Sequence, residues 1–141
     1  RDKRLRALAI DPANPGTIYA GSATSGVFKT TNGGKNWQEF NRGLLNSTVM
    51  TLLQVPSANP TLFVGTVDGI FESKNGKNQW RSIGPDLPFT VSAIAFNPKQ
   101  PRQLYAGSGG RLYMSYDGGQ KWRENSGDIN YFGTVSHSTG R

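Results

Sequence analysis

Ser115-Tyr116-Asp117-Gly118-Gly119-Gln120-Lys121-Trp122 is the stretch from which the fold can be read, because its pattern occurs twice more upstream. One copy is Thr30-Thr31-Asn32-Gly33-Gly34-Lys35-Asn36-Trp37 and the other is Ser73-Lys74-Asn75-Gly76-Lys77-Asn78-Gln79-Trp80. Their tryptophans are 43 and 42 residues apart and are the three tryptophans of the chain, a period that signals a repeat architecture. Each copy reads as a hairpin. A hydroxyl residue comes first (Thr30, Ser73, Ser115), then Asn32, Asn75 or Asp117 followed by glycine to supply positive φ, and then a strand opening on tryptophan. The short Asn or Asp side chain can bond the backbone just ahead of it and hold the turn closed. Gly34 and Gly119 are the second glycines of the outer copies, whereas Lys77 stands there in the middle one, which predicts a looser second turn. If residue 77 has positive φ, glycine in its place should stabilise the protein.

Aligning on the tryptophans brings the rest of each repeat into register. Ala9-Ile10-Asp11-Pro12-Ala13-Asn14-Pro15 matches Ala95-Phe96-Asn97-Pro98-Lys99-Gln100-Pro101, and the middle copy, from Gln54 to Pro60, has one extra residue between its prolines. Ile18-Tyr19-Ala20-Gly21-Ser22, Leu62-Phe63-Val64-Gly65-Thr66 and Leu104-Tyr105-Ala106-Gly107-Ser108 follow in the same order. Each repeat holds four strand candidates and no helical period. The first, such as Ala7-Leu8-Ala9-Ile10 or Ala93-Ile94-Ala95-Phe96, has no polar face and is expected to be an inner strand buried on both sides. The fourth, such as Trp37-Gln38-Glu39-Phe40, alternates apolar and polar residues and carries charge suited to an outer edge. Four-stranded units of about 42 residues stacked radially are β-propeller blades. The expected fold is therefore all-β: three four-stranded antiparallel blades at about 5–46, 47–88 and 89–127, with the start of a fourth at 128–141, all in one segment spanning 1–141. Three blades leave a ring open, so the chain is expected to be a segment of a larger propeller or one half of a six-bladed ring made by two copies.

The formal net charge of +7 invites a polyanion-binding reading. Its distribution weighs against a nucleic-acid partner, since the first six residues hold +3 of it and the rest is spread over all three repeats. No apolar run approaches the ~18 residues of a membrane span, and Arg1-Asp2-Lys3-Arg4-Leu5-Arg6 leads into a strand pattern, not a signal peptide's apolar region. With no cysteine the chain forms neither a disulfide nor a thiolate site, which leaves the compartment open. The single histidine, His137, excludes a multi-histidine metal site within one chain, and no cofactor is implied. Asn46-Ser47-Thr48 fits a glycosylation acceptor, meaningful in a eukaryotic secretory cell only. Gly107-Ser108-Gly109-Gly110 lacks the lysine and helix of a phosphate loop and reads as a strand-to-strand turn.

The hydroxyl-x-Asp/Asn-x-Gly-x-x-Trp pattern resembles the Asp box, or BNR repeat, of propellers that include sialidases, xyloglucan-cleaving glycosidases, sortilin-type receptors and photosystem II assembly factors. The resemblance covers residues 7–124, with Asn32, Asn75 and Lys77 as departures from it. It implies that Thr30, Asn32, Gly34, Trp37, Ser73, Asn75, Trp80, Ser115, Asp117, Gly119 and Trp122 are structural, with the three tryptophans as packing anchors between blades, and that the hairpin lies away from any substrate face. A sialidase-like site would need three arginines, a tyrosine nucleophile with a glutamate beside it and an acid, and no such constellation is assignable. A xyloglucanase-like site would need two carboxylates across a cleft. Asp11, Asp68, Asp86 and Asp128 lie in or near loops, where a turn role suffices, so no residue is assigned as catalytic. The resemblance implies a non-catalytic scaffold that presents inter-blade loops to a protein or glycan partner, in an extracellular or periplasmic setting. Its alternative is a fragment of a secreted glycoside hydrolase whose catalytic residues lie mostly on blades outside this chain.

Overall fold

The computed structural model describes residues 4–84, 87 and 90–125. Asp86, Asp128, His137 and the expected start of a fourth blade lie outside the described residues. The described chain forms twelve strands in three separate sheets and no helix. Blade 1 comprises β1 (Leu5–Ile10), β2 (Ile18–Ser22), β3 (Val27–Thr30) and β4 (Gln38–Glu39). Blade 2 comprises β5 (Val49–Val55), β6 (Thr61–Thr66), β7 (Gly69–Lys74) and β8 (Arg81–Ile83). Blade 3 comprises β9 (Val91–Asn97), β10 (Gln100–Ser108), β11 (Arg111–Ser115) and β12 (Arg123–Glu124). Each sheet runs in sequence order with antiparallel neighbours, so each blade is a four-stranded meander.

Short hairpins drive this order. Thr66 pairs with Gly69 and Ser108 with Arg111, so Val67-Asp68 and Gly109-Gly110 are two-residue loops, with both glycines of the second at positive φ. At the end of each second strand a fully buried hydroxyl follows glycine: Ser22, Thr66 and Ser108. The Ser22 hydroxyl donates to the Gly26 carbonyl and accepts from Ser25 N–H; that of Thr66 donates to Gly69 and accepts from Asp68 N–H. Ser22 and Thr66 therefore satisfy their tight loops from inside, where an unpaired polar group would be costly.

The sheets stack face to face, with β5 against β1 on one side and β9 on the other. One core cluster joins Tyr19, Val27 and Phe40 of blade 1 to Val49, Leu52, Val64, Phe71 and Trp80 of blade 2. A second joins Phe63, Ile70 and Ile83 of blade 2 to Val91, Leu104, Tyr113 and Trp122 of blade 3. Burying side chains of this size contributes about 1.5–3 kcal/mol each, so the inter-blade seams hold most of the stabilisation. Gly21 and Gly65 let the blades approach: an added Cβ would stand 2.4 Å from a Val49 methyl at the first and 2.6 Å from the Val91 carbonyl oxygen at the second.

Two expectations need correction. The first strands are not uniformly buried. In β1 Leu8 and Ile10 are exposed, and in β9 Ala93 and Ala95 are, because those residues point away from the central blade to faces that no sheet of the described chain covers. The three tryptophans are not equivalent anchors either. Trp80 and Trp122 are 3% and 6% exposed, whereas Trp37 is 41% exposed. Each tryptophan packs toward the preceding blade, and blade 1 has none before it among the described residues. Trp80 shows the intended packing: its indole N–H donates to the Phe40 carbonyl at 2.6 Å, and its ring meets Phe40 edge-on at 5.8 Å.

Candidate functional site

The three tryptophan turns share one rim with the β1–β2, β5–β6 and β9–β10 loops, and the first and third are built alike. Thr30 Oγ1 donates to Asn32 Oδ1 and accepts from Gly34 N–H, while Asn32 Oδ1 accepts from Asn36 N–H. In the third turn Ser115 Oγ donates to Asp117 Oδ1 and accepts from Gly119 N–H, and Asp117 Oδ1 accepts from the N–H groups of Gln120 and Lys121. The Lys121 N–H above all, with the Ser115 hydroxyl and Gln120 N–H, holds the Asp117 carboxyl below its ordinary value. In the second turn the positive φ angles fall on Asn75 (57°) and Gly76 (69°), not on residue 77. The loop is a two-residue Asn-Gly turn of the primed kind, closed by Lys77 N–H on the Lys74 carbonyl, and Ser73 Oγ donates to the Lys77 carbonyl. The expectation that Lys77 occupies a glycine position is thereby corrected: Asn75 and Gly76 tolerate the left-handed backbone, and lysine sits after it.

Beside these turns, clefts open at the seams between blades. One, about 530 Å³ between blades 2 and 3, is lined by Glu72, Lys74, Arg81, Arg102, Asp117 and Gln120 among others. Glu72 is buried on β7, and its carboxylate accepts from both Nε and Nη2 of Arg81, with Lys74 Nζ at 3.9 Å. Arg81 also reaches Gln120 Oε1 at 3.3 Å, so one guanidinium ties the two blades together across the cleft. Between blades 1 and 2 a cleft of about 310 Å³ gathers Asp11, Tyr19, Lys29, Gln54, Asn75 and Gly76. Lys29 Nζ donates to the Gly76 carbonyl at 3.1 Å and lies 5.4 Å and 5.1 Å from the Tyr19 and Phe40 ring centroids. Burial lowers the Lys29 ammonium and raises the Tyr19 phenol, with Asp11 opposing the first shift and adding to the second. Gln54 Oε1 is buried there with no hydrogen-bond partner among the described residues.

The carboxylates singled out by sequence are not brought together. Asp11 closes its own loop, accepting from Ala13 N–H and the Asn14 amide. Asp68 lies on the opposite rim and accepts from Asn46 Nδ2 at 2.8 Å. The two carboxylates that do share a cleft, Glu72 and Asp117, are occupied by an ion pair and by three turn donors. Sequence reasoning missed Lys29, Gln54, Glu72 and Arg81. Gln54 was legible: by strand pairing it takes the register that Ile10 and Phe96 hold in the other blades, a polar residue in an apolar row. No group of three metal-ligating side chains occurs among the described residues.

No family model matches the chain. It is 24% identical over 145 residues to a probable oligoxyloglucan-reducing end-specific xyloglucanase of Neosartorya fischeri, covering 92% of this chain and 18% of that protein. Among solved structures, an ancestral GH74 enzyme matches at TM-score 0.76 and 26% identity, over 86% of this chain and 18% of its own. The GH74 xyloglucanase of Xanthomonas campestris matches at TM-score 0.72 and 21% identity, over 89% of this chain and 22% of its own. YCF48 from Cyanidioschyzon merolae matches at TM-score 0.67 and 18% identity, over 95% of this chain and 41% of its own. The chain spans about a fifth of the length of the xyloglucanases it resembles. Three four-stranded sheets in radial succession, matched by these neighbours over nearly the whole described chain, make it a run of three β-propeller blades with the fold of the corresponding part of GH74 enzymes.

Proposed function

We propose that this chain is a non-catalytic propeller segment that binds a glycan across the seams between its blades, on the rim of the tryptophan turns and not on the face away from them that the resemblance implies for a substrate. The observation that carries this reading is the state of the carboxylates: Asp11, Asp68, Glu72 and Asp117 are each engaged in a structural bond, while the seams present Lys29, Gln54, Arg81 and Gln120 to a ligand. Similarity to proteins named for xyloglucan supports a glycan over a protein as the partner, and an extracellular or periplasmic setting with it. The second reading, a fragment of a glycoside hydrolase completed by catalytic residues elsewhere, is supported by the fifth of a xyloglucanase that the chain matches. Affinity electrophoresis in gels containing xyloglucan, run beside hydrolysis assays on xyloglucan oligosaccharides and sialosides, tests both. Retardation that Arg81→Ala and Lys29→Ala weaken, with no product released, is the expected result. Hydrolysis abolished by Asp68→Asn would overturn the non-catalytic reading, and unretarded migration would overturn the glycan.

A further inference from the structure

The two inter-blade seams are walled by corresponding positions of successive repeats, yet their charge differs. By register, Lys74, Arg81 and Arg102 in the cleft between blades 2 and 3 stand where the seam between blades 1 and 2 has Thr31, Gln38 and Pro60. Three cations thus gather in one cleft, whereas the other seam has Lys29 set beside Asp11.

The fold makes no use of the Arg102 guanidinium. The Arg102 carbonyl accepts from Gly118 N–H at 2.9 Å, as the carbonyls of Gly16 and Pro60 accept from Gly33 and Asn75 at 3.0 Å and 2.8 Å. That is a backbone role any residue can fill. The side chain is exposed, with no hydrogen bond or ion pair among the described residues. It lies over Gly118, where an added Cβ would stand 3.6 Å from Nη1. Across the cleft the Lys74 side chain is 55% exposed, and the carboxylate it approaches, Glu72 at 3.9 Å, is already held by Arg81. Arg81 in turn reaches Gln120, which follows the Asp117-Gly118 turn, so the three cations converge on one space. Of the carboxylates in the wall, Glu72 is buried and paired, and Asp117 Oδ1 is filled by its turn donors. A ligand therefore meets more positive than negative charge, and concave walls concentrate that field.

We propose that this cleft takes an acidic sugar residue, whose carboxylate or sulfate is held between Arg102 and Lys74. The proposal rests on the glycan reading above and names the class of glycan. A guanidinium presents its N–H groups as a planar fork that matches two oxygens of such an anion. The test is calorimetric titration of the 141-residue chain at about 0.15 M salt, where long-range attraction is screened. Its probes are trigalacturonate with its methyl ester, and sulfated cellotriose with cellotriose. Trigalacturonate binding about ten-fold tighter than the ester, as charge-assisted hydrogen bonds provide, identifies a uronate. The same preference within the cellotriose pair identifies a sulfated sugar, and either result supports the proposal. Arg102→Gln and Lys74→Gln should each remove most of the preference while their thermal melts match wild type. Lys35→Gln, which removes the same charge from the exposed first turn, should keep it. Equal binding within both pairs, or none, would overturn the acidic subsite, while retardation by xyloglucan judges the glycan reading separately. An equal loss in Lys35→Gln would overturn it too, by showing that the net charge of +7 and not the cleft attracts the anion.

Discussion

Asp117 and Asn32 perform one task with different charge. Each oxygen gathers a hydroxyl donor and backbone N–H from the far side of its turn, one at Asn32 and two at Asp117, and only Asp117 can lose its role by protonation. Because its carboxyl sits below the ordinary value of 3.8 in the folded state, its contribution is fully present above that pH. It is lost as the pH falls through the lower native value. Thermal melts from pH 7 to pH 2 should therefore show Asp117→Asn slightly less stable than wild type at neutral pH and converging with it in acid. A difference that widened in acid would contradict the hydrogen-bonding assignment. The neutral amide at Asn32 shows that the geometry alone is serviceable, so the loss at neutral pH should be modest.

At the level of the element, the three turns show how one motif reaches two backbone solutions. Where two glycines follow the Asn or Asp, the positive φ angles fall on Gly33-Gly34 and Gly118-Gly119, and the side chain is left to bridge the loop. Where Lys77 replaces the second glycine, the left-handed pair moves one residue earlier, onto Asn75 and Gly76, because asparagine tolerates that region far better than lysine. Lys77→Gly should then bring no stabilisation and cost up to ~1 kcal/mol through the added freedom of the unfolded chain. Asn75→Ala should cost about 1 kcal/mol, since alanine has no local bond to offer in the left-handed region. Urea titration of both variants decides the matter, and a gain in stability for Lys77→Gly would show that residue 77 is strained after all.

Across the whole molecule, stability resides between blades, and the tryptophans report it unequally. Trp80→Ala and Trp122→Ala each empty a sealed seam and should cost about 3–5 kcal/mol. Trp37→Ala, on the open face, should cost about 1 kcal/mol, in the range of ordinary partly exposed sites. Denaturation followed by circular dichroism at low protein concentration separates the two classes. Three equal losses would mean that Trp37 is covered by something other than a neighbouring blade. The polar groups in the seams follow the same logic, since Glu72 and Lys29 hold equivalent registers yet face different neighbours, one paired with Arg81 and the other set against aromatic rings.

The amino-acid sequence by itself determined the three four-stranded sheets of the described residues, their strand order and the place of every tryptophan turn. Hairpins are local, and the Gly, Asn and hydroxyl residues that permit positive φ or satisfy a tight loop act within a few positions of one another. The period of 43 and 42 residues carried that local information through the chain. What only the tertiary structure decided is which repeats of the same residue are buried. Trp37, Trp80 and Trp122 are identical in local sequence role, and their difference lies in whether another sheet stands in front of them. The seam chemistry was hidden for the same reason: Arg81 and Gln120, or Lys29 and Gly76, meet across some forty residues of chain because blades stack, and no spacing rule links them. Side-chain contact between repeats depends on their packing in space, which a one-dimensional pattern does not contain.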